Sequence, residues 1–323
     1  MPLSGRLSFF INMRTFFKLI RLPNLLIIIL VQYLTSFCVI KPLLYATGLS
    51  SAFSNNKLFM LVLMTLLVTS GGYIINDLYD QRIDKINKPG LNVFNRFNKV
   101  LLLILYALFN IAGIFIGFYL ARQTDSMIMG WLILCIVIVL WLYSWRYKRQ
   151  FLLGNIIVSF LLAFVVVIVW LFEFFFYRSA YGNTVENVET IMTINKIILF
   201  YASLAFILSL LREIVKDIED REGDAEYGCK TLAVLVGVKV SKLVVSILMS
   251  AVVLILVYLQ YFQFNEGYIL LSWYFVFAVQ LPLIYLIYLT IKAETIINYK
   301  YISSFLKVIM LSGILSMFFI KFI

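Results

Sequence analysis

Nine stretches of roughly 20 mostly apolar residues, separated by short polar connections, constrain this chain more than any other feature, because about 20 such residues on a helix match the thickness of a bilayer's hydrocarbon core. They run over about 22 to 41, 57 to 77, 99 to 121, 127 to 145, 151 to 173, 196 to 216, 240 to 262, 267 to 291 and 302 to 322. The expected fold class is therefore an all-α membrane protein of nine transmembrane helices. Residues 1–323 read as one domain, with helices one to four, helices five to eight and a ninth appended. The longest polar stretch between spans, about Phe174 to Asn195, reads as an external loop with room for a short surface helix.

A formal charge of +11 would suggest nucleic acid for a soluble protein. With 63% hydrophobic residues and 13% charged, that reading fails. The N-terminal tail and the connections after helices two, four, six and eight, with their adjoining helix ends, hold 20 of the 27 lysines and arginines. The other side holds six, and Lys307 lies inside the last span. This asymmetry places the N-terminus in the cytoplasm and the C-terminus opposite. The bilayer is the expected environment, with no nucleic acid and no obligatory protein partner implied. The chain has no histidine, and Cys38, Cys135 and Cys229 show no paired spacing. Zinc sites and disulfide frameworks are unsupported.

Against this apolar background, ten of the 16 acids fall in two windows, 77 to 84 and 213 to 226, at the ends of helices two and six. Asp77, Asp80 and Asp84 stand at i, i+3 and i+7, and so do Asp217, Asp220 and Asp224. On a helix each trio forms a narrow stripe. Carboxylates are costly near lipid, so acids on such segments need a wet surface and partners. An even number of crossings separates the two runs, which sets them on the same face, and the offset of four helices suggests a parallel duplication. One trio alone reads equally as a solvated helix cap; two matched trios point to a ligand. Oxygen donors without His or Cys suit Mg²⁺, which is usually held by one or two carboxylates, waters and substrate phosphates. A diphosphate is the expected anion. Arg212, Lys216, Lys148 and Arg149 supply cations nearby, although each also fits a positive-inside anchor.

At these residues the chain resembles the UbiA superfamily of intramembrane prenyltransferases. Asn76 with Asp77, Asp80 and Asp84 matches its N-D-x-x-D-x-x-x-D run, and Asp217, Asp220 and Asp224 match its second run. Arg21-Leu22-Pro23-Asn24, Tyr143-Ser144 with Lys148, Gly154-Asn155, and Lys230-Thr231-Leu232 are similar to further elements of the family. The stretch Arg212 to Asp224 looks most like the branch that geranylgeranylates geranylgeranylglyceryl phosphate. One departure stands out: Asn87-Lys88-Pro89-Gly90-Leu91 carries Leu91 where relatives have arginine, and Lys88 or Arg96 is left to substitute.

The resemblance implies two Mg²⁺ ions bridging the diphosphate of an allylic prenyl donor to both aspartate sets, with the six aspartates as metal-binding and catalytic residues. It also implies a lipophilic acceptor and a carbocation-like transition state sheltered from water by apolar walls. Asn24, Asn76, Tyr143, Lys148, Asn155, Arg212 and Lys216 are the expected substrate-binding residues. Asn76 and Asn155 orient bound groups, and Arg212 or Lys216 contacts phosphate. The proton acceptor stays open among an aspartate, Tyr143 and the departing diphosphate. A quinone precursor is the alternative acceptor. Outside enzymes, a cation-coupled carrier would show midplane charges and interrupted helices, and a non-catalytic cation-binding scaffold would need no neighbouring cations.

Overall fold

The structure is a computed structural model that describes residues 13–81, 83, 98–182 and 188–320; among these there is helix and no strand. Nine of the described helices are long and apolar enough to cross a membrane: α1 (Leu22–Ala46), α2 (Asn55–Asp80), α3 (Lys99–Arg122), α4 (Ile128–Trp145), α5 (Leu153–Tyr181), α6 (Val188–Glu219), α9 (Gly237–Asn265), α10 (Ile269–Lys292) and α11 (Ile296–Ile320). Two short helices, α7 (Arg221–Glu226) and α8 (Leu232–Leu235), lie between α6 and α9. Polar residues start several spans. The side chains of Ser54 and Asn98 accept from the backbone N–H groups of Lys57 and Val100, satisfying donors that the first turn leaves open. Two spans carry a proline beyond their first turn, Pro42 in α1 and Pro282 in α10, and each is preceded by a π-type stretch, Thr35–Ile40 and Val276–Gln280. Proline removes a backbone donor and crowds the carbonyl four residues back, so the widened turn sits where that clash falls.

The expected loop over 174 to 195 is corrected. Helix α5 continues to Tyr181 and α6 begins at Val188, leaving only residues 183–187 outside the described set. A hydropathy window stops where side chains become polar, but the helical backbone satisfies itself regardless of side chain and runs on past the lipid. Trp170 Nε1 donates to Asn195 Oδ1 at 2.6 Å, fastening α5 to α6.

Contacts divide the described residues into two compact units, one within Met1–Leu30 and Phe53–Lys148, the other within Val31–Ala52 and Arg149–Ile323. In the first, α2, α3 and α4 pack on one another. Small residues set their approach: Gly71 faces Asn110, Gly72 faces Leu140, Gly113 faces Val68 and Gly117 faces Ile133. Without water between helices, association relies on such close van der Waals contact. A Cβ at position 113 would stand 2.7 Å from Val68 Cγ2, and β-branched Val68 has little rotamer freedom on a helix. Gly113→Leu should therefore destabilise by about 1–3 kcal/mol, as overpacking of a tight core does, read as a lowered Tm of the detergent-purified protein. An unchanged Tm would refute this packing.

In the second unit α6 packs against α5, α9 and α11, and α10 against α9 and α11. Its core includes Leu208, Leu211, Val215, Met249, Val279, Leu283 and Leu306, all fully buried. Polar pairs inside this core are mutually satisfied, as they must be away from water. The buried amides of Gln260 and Gln280 donate to each other at 3.1 Å, and Tyr201 and Ser316 share a hydrogen bond of 2.7 Å. Outward-facing Phe115, Leu254 and Ile297 are exposed, as residues facing lipid are.

Candidate active site

Helix α2 ends at Asp80, so Asp77 and Asp80 occupy its last turn, where the helix dipole presents its negative end. Carboxylates there are unfavourable unless cations answer them, and the first unit supplies two. Arg21 Nη2 donates to Asp77 Oδ1 at 3.0 Å, and Lys148, in the short turn Tyr147–Arg149 that follows α4, pairs with Asp80 Oδ1. Asn76 joins them: its Nδ2 donates to Asp80 Oδ2 at 3.0 Å, and its Oδ1 accepts from Lys148 Nζ at 3.4 Å. Asp80, Asn76 and Lys148 thus form one connected group.

Arg21 is held from several directions. Its backbone lies in the left-handed region at φ 52°, a conformation costing a non-glycine residue about 1 kcal/mol or more, and its carbonyl accepts from Asn24 N as α1 begins. The guanidinium lies 4.6 Å over the Tyr73 ring, whose hydroxyl accepts from Asn24 Nδ2 at 3.3 Å. Burial works against its charge, but the neighbouring Asp77 carboxylate, with Tyr73 and Tyr143 also within electrostatic reach, more than offsets this and holds its pKa above the ordinary value. A cleft of about 670 Å³ opens beside it, bordered by Arg14, Lys18, Phe17 and Pro23.

The second unit carries the other acids. Asp217, in the last turn of α6, accepts from Asn155 Nδ2 at 2.8 Å through Oδ2, and Asn155 is buried at the start of α5. Glu213, one turn earlier, accepts from Arg212 Nη1 at 2.6 Å and from Lys216 Nζ at 3.3 Å. Asp224 and Lys216 also act electrostatically on Asp217. The stripe expected for Asp217, Asp220 and Asp224 is not continuous: α6 ends at Glu219, Asp220 adopts φ −91° and ψ 6°, and Asp224 lies on α7. The kink is mild, for Asp224 N still donates to Asp220 O at 3.1 Å. Beyond it, Lys230 N donates to Arg149 O at 2.8 Å, tying the segment after α7 to the one before α5.

The structure thus brings Asn76, Asp77, Asp80, Asn24, Tyr143 and Lys148 into one neighbourhood, and Asn155, Arg212, Lys216, Asp217, Asp220 and Asp224 into another. Asp84, the stretch Asn87 to Leu91 with Lys88, and Arg96 lie outside the described residues. Two residues join that sequence reasoning did not assign to the site. Arg21 was visible as the opening residue of Arg21-Leu22-Pro23-Asn24, and Glu213 stands one turn before Asp217, at i, i+4 on the same helix face. Among the described residues no three His, Cys, Asp or Glu side chains stand close enough to hold a metal by themselves.

The family model described as the UbiA prenyltransferase family matches residues 33–305. The chain belongs to that family. It is an integral membrane prenyltransferase. Its similar relatives include the digeranylgeranylglyceryl phosphate synthase of Korarchaeum cryptofilum, 31% identical over 274 residues that cover 83% of this chain and 87% of the relative. The digeranylgeranylglyceryl phosphate synthase of Methanobrevibacter smithii is 29% identical over 66% of this chain and 70% of its own. Among solved structures, a UbiA homolog from Aeropyrum pernix K1 in the apo state shares the fold with a TM-score of 0.60 and 13% identity, covering 92% of this chain and 95% of that one. A structure described as giving structural and mechanistic insights into digeranylgeranylglyceryl phosphate synthase in membranes shares it with a TM-score of 0.56 and 22% identity, covering 95% and 99%.

Proposed function

We propose that this UbiA prenyltransferase moves a geranylgeranyl group from its diphosphate to the free hydroxyl of geranylgeranylglyceryl phosphate, the 323 residues acting as one domain with both aspartate runs on the cytoplasmic face. The observation that carries the acceptor is the 31% identity to a digeranylgeranylglyceryl phosphate synthase across 83% of the chain. The residues fit a magnesium-loaded diphosphate as chemistry: every acid in the two clusters offers oxygen alone, and Mg²⁺ customarily takes only one or two protein carboxylates with phosphate oxygens completing its shell. Asp77, Asp80 and Asp84 of the first run and Asp217, Asp220 and Asp224 of the second would hold two such ions. When bound, they supply positive charge that stabilises the leaving diphosphate.

The rest is done by the chain's own side chains. Arg21 and Lys148 hold Asp77 and Asp80 in place, and each offers a cation to a phosphate oxygen as charge builds on it. Asn76 fixes the rotamers of Asp80 and Lys148, and Asn155 does the same for Asp217. Asn24 holds Tyr73 under Arg21. Lys216 adds charge beside Asp217, and Tyr143 stands close enough to Arg21 to meet a substrate bound there. Apolar helix faces exclude water from a donor carbon with carbocation character.

The test is to incubate the purified chain with Mg²⁺, radiolabelled geranylgeranyl diphosphate, and either geranylgeranylglyceryl phosphate or an aromatic quinone precursor. Product with the glyceryl phosphate, lost on chelation by EDTA and restored by Mg²⁺, is the expected result. Product with the quinone precursor alone would overturn the acceptor assignment, and undiminished turnover in EDTA would overturn the role of the carboxylates.

A further inference from the structure

Lys307 lies eleven residues into α11, about 16 Å along its axis from Ile296 and well inside an apolar span. A lysine there is costly and marks a functional site unless it merely packs. The antiparallel register that sets Tyr201 against Ser316 and Leu204 against Gly313 brings Arg212 of α6 level with Phe305, two residues from Lys307. Arg212 and Lys307 are also within electrostatic reach of one another. The Nε of Arg212 is buried without a hydrogen-bond partner. Its Nη1 goes to Glu213, which also serves Lys216. Arg212 is therefore anchored on one edge and has a donor to spare on the other, an arrangement that suits a phosphate oxygen.

We propose that Arg212 and Lys307 form the anion site that receives the acceptor's phosphate monoester, making Lys307 a specificity-determining residue. This rests on the glyceryl phosphate reading above. Arg212 lies five residues, about 7.5 Å, along α6 from Asp217. In a glycerol bearing a phosphate on one oxygen and a prenyl ether on another, the remaining hydroxyl is only one or two carbons from the phosphate-bearing carbon. Fixing the phosphate at Arg212 and Lys307 therefore holds that hydroxyl within a few ångströms of the pair. The hydroxyl oxygen forms the new ether bond, its proton leaves to a base, and the bond from the donor carbon to diphosphate breaks; the acceptor's phosphate is untouched.

The experiment compares two acceptors, geranylgeranylglyceryl phosphate and its dephosphorylated alcohol, with the full chain, Mg²⁺ and saturating geranylgeranyl diphosphate. For Lys307→Met, the ratio of kcat/KM for the phosphorylated over the unphosphorylated acceptor should fall by about 10- to 100-fold, the loss of one charge-assisted contact. The donor's KM should stay within about twofold, which also reports that the variant is folded. Lys307→Arg should keep most of the preference. Should Lys307→Met fail to accumulate, Lys307→Gln gives the same reading. A ratio unchanged in Lys307→Met overturns the site, as does a donor KM that rises with it, since the pair would then serve the diphosphate. Loss of the effect when phosphatidylglycerol is left out of the lipid would assign the pair to a phospholipid headgroup and overturn it as well. If the wild-type chain turns over no glyceryl phosphate at all, the acceptor reading falls and this inference with it; if it does and the variant matches it, only this inference falls.

Discussion

Asp217→Asn is expected to reduce kcat by about a thousandfold while leaving the fold intact. The substitution separates two roles. Asp217 Oδ2 accepts a hydrogen bond from Asn155 at 2.8 Å, and an asparagine carbonyl at 217 accepts the same bond. A residue that served only to anchor Asn155 would lose little by the exchange. The charge is what the exchange removes, and a carboxylate in the last turn of α6, against the negative end of the helix, is placed there at a cost to stability. Removing it should leave Tm unchanged or raised. The loss in rate follows if the charge is used on metal and diphosphate: about three orders of magnitude, equivalent to about 4 kcal/mol of transition-state stabilisation, is what one preorganised electrostatic contact provides. Asn155→Ala, which touches only orientation, should cost about 10- to 100-fold. Steady-state kinetics with thermal unfolding of the same preparations reads both. An Asp217→Asn protein that keeps more than a tenth of wild-type kcat would end the assignment.

Much of this was legible in the chain itself, for reasons that differ by residue. The nine spans follow from hydropathy because lipid admits no unsatisfied backbone, so apolar length and helix go together. The aspartate runs were conspicuous because a carboxylate at a membrane helix end is expensive wherever it lacks a partner. The pairings were a different matter. Lys148 meets Asp80 and Asn155 meets Asp217 only because chain segments far apart in sequence pack together. Local spacing has no access to that distance; the Lys148 and Asn155 assignments came from short motifs. Arg21 sat in such a motif and was still passed over, because its left-handed backbone and its reach to Asp77 are products of the turn before α1. The interruption at Asp220 escaped for a similar reason: helical spacing assumes an unbroken helix, and a backbone change at one residue leaves no mark on periodicity. The misjudged loop at 174 to 195 shows the converse error, since polarity ended the apolar run without ending the helix.

That same misjudged segment begins beside the group whose loss should weaken the fold most. Glu173 of α5 is 1% exposed, an isolated acid on a span, and no site motif includes it. It accepts from Ser51 Oγ at 2.9 Å and from the backbone N–H of Ala52 at 3.0 Å, so it fastens the connection after α1 onto α5 within the second unit. Lys41, itself buried, lies within its electrostatic reach and stacks over the Phe37 ring at 4.6 Å. Glu173→Leu fills the space but removes this acceptor from the half-buried Ser51 hydroxyl and Ala52 N–H, and this carboxylate from the buried Lys41. Breaking one side of such a buried arrangement costs about 3–5 kcal/mol, well above an ordinary surface change. The expected result is a large fall in Tm of the detergent-purified protein. The double variant Lys41→Met with Glu173→Leu should recover part of the loss, because it removes the lysine charge along with the carboxylate that acts on it. The donor and acceptor KM values of either variant, measured below its Tm, should stay near those of wild type, since none of these residues touches the aspartate clusters. Equal Tm values for wild type and Glu173→Leu would mean that this acid is dispensable to the fold, and a selective rise in KM would give it a role in substrate binding instead.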